Sequence, residues 1–278
     1  MMTNKIQQLP NLFLPYLEKI KQTARPTIEM QLKPAKALPL WQSKIGGVPY
    51  LTKDMSYPKN PDGKSLKLLA QINFAELPAN HIYPQHGILQ IYIDAEDDLT
   101  GLNFDDQTDQ TGFRILFHEN AIEDVTQLKK YDENYHISEY EYFPVNGAYT
   151  ISFKNAEQYI SSMDFKFPSL MFNVNEIYEY EEHFEGGDIY EDFLEVYDEI
   201  ISAHGHRLGG YPYFTQTDPR YDERFKDYIL LFQLDSDSGD HDEIQIMWGD
   251  VGVGNFFIHP RDLKNKDFSK VLYNWDCH

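Results

Sequence analysis

The sequence is short of the residues on which most recognisable chemistry depends. It holds one cysteine, Cys277, next to the last of its 278 residues. A single thiol closes no internal disulfide, so nothing here points to an oxidising compartment. Basic residues are scarce as well. There are 24 Lys and Arg against 45 Asp and Glu, a formal charge of −21. That balance excludes nucleic-acid binding, which needs cations to displace counterions from phosphates. It equally disfavours an anionic membrane surface. No run approaches the ~18 apolar residues of a membrane span. The N-terminus lacks the basic stretch and apolar core of a secretory signal. The expectation is a soluble, cytoplasmic protein that binds neither nucleic acid nor membrane.

Catalytic and metal signatures are missing too. No Gly-x-Ser-x-Gly nucleophile elbow occurs, and Cys277 sits too near the chain end for a preorganised thiolate. Asp235, Asp237, Asp240, Asp242 and Glu243 fail the EF-hand pattern. Its glycine position is Asp240 and its final Glu position is Ile246. His204 and His206 have no cysteine nearby and no helical His-Glu-x-x-His context. No catalytic residue, metal or cofactor is therefore assigned.

What the chain does have is one phrase said twice. Gly46-Gly47-Val48-Pro49-Tyr50 returns as Gly209-Gly210-Tyr211-Pro212-Tyr213. Gln71 and Gln233 follow the first glycine of each copy by 25 and 24 residues, both inside apolar runs. Matched phrases at matched spacing predict two related halves, about 28–155 and 204–278, within a single compact unit spanning 1–278. The 38 Tyr and Phe residues predict many strands. Ile28–Leu32, Leu68–Phe74, Ile88–Ile93, Phe113–His118, residues 137–154, Ile244–Trp248 and Asn255–Ile258 read as strands. Asp94–Gly112, with six Asp and one Glu, reads as a loop. Pro10–Ala24 has helical spacing, and Pro260 opens a short helix. The fold class expected is α+β, with a mostly antiparallel sheet.

Between the halves lies an acidic insert at about 176–203. Residues 176–199 carry eleven acids and no Lys or Arg. Ile189, Phe193, Val196, Tyr197, Ile200 and Ile201 mark one face of a helix over 188–203. Asp188 is placed to cap it. Tyr190, Glu191, Asp192, Glu195 and Glu199 would then form a surface suited to a basic protein partner. A second reading gathers Gln71, Gln233, Trp248 and Asp250 around a pocket at the junction of the halves. A structural reading stands beside each. The glutamines would serve as buried clasps, Trp248-Gly249-Asp250 as turn chemistry, and the acids as a solvated helix face.

Taken together, Lys44–Tyr50, Leu68–Phe74, Gly87–Ile93, Gly112-Phe113-Arg114, His206–Gly210, Leu230–Asp235 and Met247–Asp250 resemble the bacterial YwqG-like family. The resemblance implies a cytoplasmic bacterial protein of α+β fold and unknown function. Members have been placed among immunity proteins of toxin systems, which implies binding rather than catalysis. The expected function is a non-enzymatic protein-binding module. The alternative is a small-molecule-binding or hydrolytic protein using the junction pocket.

Overall fold

Ten strands form one antiparallel sheet in a computed structural model that describes residues 5–131, 142–240 and 243–278. In chain order these are β1 (Arg25–Pro34), β2 (Lys44–Gly46), β3 (Lys67–Asn73), β4 (Ile88–Ile93), β5 (Phe113–His118), β6 (Ala148–Gln158), β7 (Arg207–Gly209), β8 (Ile229–Asp235), β9 (Val253–Ile258) and β10 (Leu272–Asp276). Their spatial order is β10-β9-β8-β7-β1-β6-β2-β3-β4-β5. The long strands β1 and β6 pair from Arg25–Gln158 to Pro34–Tyr149 and form the centre. β2, β3, β4 and β5 extend outward from β6, and β7, β8, β9 and β10 extend outward from β1.

The sheet curls around one apolar core. Residues from all ten strands meet there, among them Ile28, Ile45, Ile72, Ile91, Phe113, Ile151, Leu208, Phe232, Phe256 and Tyr273. The edge strands β5 and β10 come face to face. The Phe113 ring lies 5.3 Å from Tyr273 and 6.1 Å from Phe256. They share no ladder bonds. Instead the acidic 94–112 loop bridges the seam: Gln107 O accepts from Tyr273 N at 2.9 Å, and Thr100 O accepts from the Tyr273 hydroxyl at 3.0 Å. The result is a nearly closed barrel, which leaves little unpaired strand edge.

Burial explains why β3, β4, β8 and β9 lack strict alternation. Nearly every residue in them is buried. One face packs on the core, while the other lies under loops and carries polar residues such as Gln71, Gln90, Gln233 and Asn255.

A second apolar cluster joins short helices outside the barrel, with Phe13, Ile20, Phe167, Met171, Phe193 and Tyr197 at its centre. The segment read as one helix from Pro10 divides into a 3₁₀ stretch, Asn11–Tyr16, and α1, Leu17–Gln22. Pro15 explains the division, because it offers no N–H to a regular ladder. α2 is Phe167–Phe172 and α3 is Tyr178–Glu181. The expected helix over 188–203 is a π-helical turn, Tyr190–Glu195, running into α4, Val196–Ile200. Its fully buried residues, Ile189, Phe193, Tyr197 and Ile201, stand four apart. The wider turn keeps that spacing on one face. α5 is Pro260–Lys264.

The expected strand Ile244–Trp248 does not form. Only Ile246 makes isolated bridges, to Val145 and Asp237. β8 and β9 pair directly with each other, so their connection folds over the barrel mouth rather than into the sheet. Part of the extended reading over 137–154, residues 137–141, and Asp242 of the acidic loop lie outside the described residues.

Candidate functional site

The repeated phrases perform the same local task. Their glycines all have positive φ: Gly46 +63°, Gly47 +74°, Gly209 +67° and Gly210 +76°. A Cβ on Gly46 would also meet Gly147 O at 2.5 Å. Each phrase is held by its glutamine. Gln71 Oε1 accepts from Tyr50 N at 2.8 Å, and its Nε2 donates to Leu40 O and Gln42 O at 2.7 and 2.8 Å. Gln233 Oε1 accepts from Tyr213 N at 2.8 Å, and its Nε2 donates to Ala203 O and Gly205 O at 2.9 and 2.7 Å. A neighbouring amide completes each set. Gln90 Nε2 reaches Tyr50 O, and Asn255 Nδ2 reaches Tyr213 O. Both glutamines are fully buried, and a buried amide with filled hydrogen-bonding positions fixes a loop.

The four residues of the junction-pocket reading do not come together. Gln71 and Gln233 hold separate loops. Trp248 is a core residue, 1% exposed, covering Gly254 and lying 6.0 Å from Trp275. Asp250 is exposed to solvent. The glycines around Trp248 serve close packing, since a Cβ on Gly252 would collide with Asp276 O. A groove of about 590 Å³ does lie at the barrel mouth, with Thr100, Pro144, Asn146, Ile246, Gly249 and Trp275 in its walls. Gly249 is the member of the Trp-Gly-Asp bend that reaches it.

The acidic segment faces outward. Tyr190, Glu191, Asp192, Glu195 and Glu199 are all exposed, opposite the buried Phe193. Asp188 caps the turn as expected, accepting from Tyr190 N at 2.8 Å. Among the described residues, ion pairs form elsewhere and none involves a carboxylate of 176–199.

Asp198 differs from the other acids of its segment. It turns inward, and its carboxylate accepts from Ser162 Oγ at 2.6 Å. Burial pushes its pKa up to about 6. It lines a cavity of about 290 Å³ with Ser202, His204, Tyr213, Thr215 and Met163. The His204 ring lies 3.7 Å from the Tyr213 ring, and its Nδ1 is 3.6 Å from Asp235. Asp276, next to the cavity wall, accepts from Thr215 Oγ1 at 2.9 Å. Burial raises the Tyr213 phenol, and the nearby charges of Asp235, Asp276 and Asp198 raise it further. This pocket combines converging polar groups with a perturbed carboxyl, the usual marks of a binding site. No group of three or more metal-ligating side chains exists among the described residues.

Residues 43–277 match the family described as Domain of unknown function (DUF1963). The chain belongs to that family. No curated protein matches it. Within this DUF1963 chain, sequence reasoning missed Asp198 and Tyr213 as cavity residues and Ser162 as the partner of Asp198. Asp198 was one acid among eleven, and only tertiary packing turns it inward. His204 drew notice through the His-x-His pattern, which was weighed for metal binding and assigned no role. Among the described residues, no helix is long and apolar enough to cross a membrane.

Proposed function

We propose that this DUF1963 protein is a non-enzymatic binding module that presents the acidic segment 176–199 to a basic protein partner. The supporting observation is the set of exposed carboxylates around Glu191, Asp192, Glu195 and Glu199, unpaired with basic side chains. Exposed tyrosines stand among them: Tyr178 is 64% and Tyr190 47% exposed. Unneutralised charge of one sign with aromatic anchors favours a partner of opposite charge and speeds its encounter. The scaffold under this reading is two related halves. Their equivalent amide clasps and the matched positive-φ glycines support a duplication. An immunity-like role in the cytoplasm, as the YwqG-like resemblance implies, is the finer form of the proposal.

The test is affinity capture from host lysate with wild type and with Glu191→Gln, Asp192→Asn, Glu195→Gln and Glu199→Gln combined. A basic partner retained by wild type, lost by the variant and released by 0.5 M salt supports the proposal. Equal capture by both proteins overturns it.

The mouth groove favours the small-molecule alternative, because loops from both halves build it. Soaking small-ligand mixtures and following the Trp275 indole resonance would reveal occupancy.

A further inference from the structure

The two halves treat the same place differently. In the first half, Gln71 holds the carbonyls of Leu40 and Gln42, with Trp41 between them. Trp41 and Leu40 pack with Tyr50, Ile88 and Leu128 in one apolar cluster. Tyr50 is 1% exposed there, and its hydroxyl accepts from Ile122 N at 2.9 Å. In the second half, Gln233 holds the carbonyls of Ala203 and Gly205, with His204 between them. Ala203 thus stands where the first half has Leu40, and His204 where it has Trp41. The 290 Å³ cavity opens at this point. The loop-holding scaffold therefore does not dictate small side chains here, since the first half builds the same clasp around Leu40 and Trp41, packed on Tyr50, Ile88 and Leu128.

The cavity's charge is one-sided. No Lys or Arg lines it. Asp198 supplies a carboxylate in the wall, while Asp235 and Asp276 stand just behind His204 and Thr215. The histidines present are His204 and His278. An unpaired carboxylate kept from bulk water is costly unless a cation meets it. Ser162 meets Asp198 with its hydroxyl and its backbone N–H, both neutral groups.

We infer that the cavity between α4 and the second Gly-Gly-Tyr-Pro-Tyr phrase is a binding site for an alkylammonium group, with Asp198 as its counter-ion. Ser202 and Thr215 offer hydroxyls to the ammonium, and Met163 and Phe214 cover the alkyl stem. The volume suits one short chain. The ammonium belongs either to a free amine or to a lysine side chain. This inference does not depend on the exposed acidic surface.

The test follows the ¹³C methyl resonance of Met163 in the full chain during titration with n-butylammonium chloride. The neutral analogue 1-butanol is the control. Wild type should show a saturable shift with the amine and at least tenfold weaker binding of the alcohol. Asp198→Asn should weaken amine binding at least tenfold with its fold retained by circular dichroism. His204→Trp, which restores the first half's filling residue, should abolish it. Equal binding of amine and alcohol overturns the inference. So does amine binding within twofold of wild type in a folded Asp198→Asn or in His204→Trp, and the latter decides alone if Asp198→Asn does not fold. Nα-acetyl-lysine N-methylamide binding tighter than n-butylammonium identifies a lysine side chain as the source; weaker binding identifies a free amine. The exposed-surface variant should bind n-butylammonium as wild type does, which separates failure here from failure of the partner proposal.

Discussion

Gln71 and Gln233 show how one side chain can fix a loop. Each amide is buried and bonds one backbone N–H and two carbonyls. Truncation to alanine orphans all three groups. At roughly 1–3 kcal/mol for each buried unpaired group, offset by local relaxation, Gln71→Ala and Gln233→Ala should each cost about 3 kcal/mol. Urea unfolding measures this, and a loss below ~1 kcal/mol would show that the loops hold themselves. Asp198 makes a pH-dependent contribution of the opposite kind. Its folded pKa is about 6 against an ordinary 3.8, so the folded protein holds the proton more tightly. The associated stability is complete below pH 3.8 and is lost as pH rises through about 6. His204 is the neighbour whose charge opposes the rise in pKa, and His278 lines the same cavity. Asp198→Asn cannot ionise, so it should equal wild type near pH 4 and exceed it at pH 8 by on the order of 2 kcal/mol. A constant difference across that range would contradict the assignment.

At the scale of elements, the acidic segment is anchored by rings rather than by charge. Phe193 is fully buried, with Phe13 at 4.5 Å and Tyr16 and Phe172 just over 5 Å away. Phe193→Ala should cost about 3–5 kcal/mol and release the segment from the barrel. Hydrogen exchange over 188–201 reports that release, and unchanged protection would refute it. The turn near Met163 is tied to the Pro219–Tyr221 turn by a buried ion cluster. Arg220 pairs with Asp164 at 2.8 Å and Asp218 at 2.7 Å, all nearly inaccessible. Burial alone would lower the Arg220 pKa, but the two carboxylates outweigh it and hold the guanidinium charged. The same guanidinium lies over the Phe165 and Phe257 rings. Arg220→Met strands two buried carboxylates and should cost about 3–5 kcal/mol. That loss should shrink at pH 3, where the Asp218 carboxyl, its pKa already raised by burial, takes up a proton. A pH-independent loss would attribute the effect to packing instead.

The whole molecule carries −21 charges, and most of the acids in 176–199 meet solvent. Such an excess repels itself and opposes compaction. Raising NaCl from 20 to 300 mM shortens the screening length from about 20 Å to about 6 Å. The melting temperature should therefore climb by a few degrees, and by less in the exposed-surface variant. A flat or falling trend would mean that local pairing already neutralises the charge.

The sequence by itself determined the strand-rich character, the position of most strands and the two matched phrases. Each rests on local physics: aromatic and β-branched runs favour extended backbone, and Gly-Gly before x-Pro admits positive φ where other residues do not. The inward stripe of the acidic segment was legible for the same reason, because its period follows from one face meeting a core. Tertiary structure alone decided the rest. The Ile244–Trp248 run has a strand's residues, yet β8 and β9 already satisfy each other, so no partner remained. Trp248 reads as a pocket rim and is a core residue, since its exposure depends on Gly254 lying beneath it. Asp198 is chemically the same as ten neighbouring acids in sequence. Only the approach of Ser162 and Tyr213 from distant segments gives it a cavity and a raised pKa. Side-chain type and spacing act over a few residues, whereas burial and electric field are set by groups that meet only when the chain has closed.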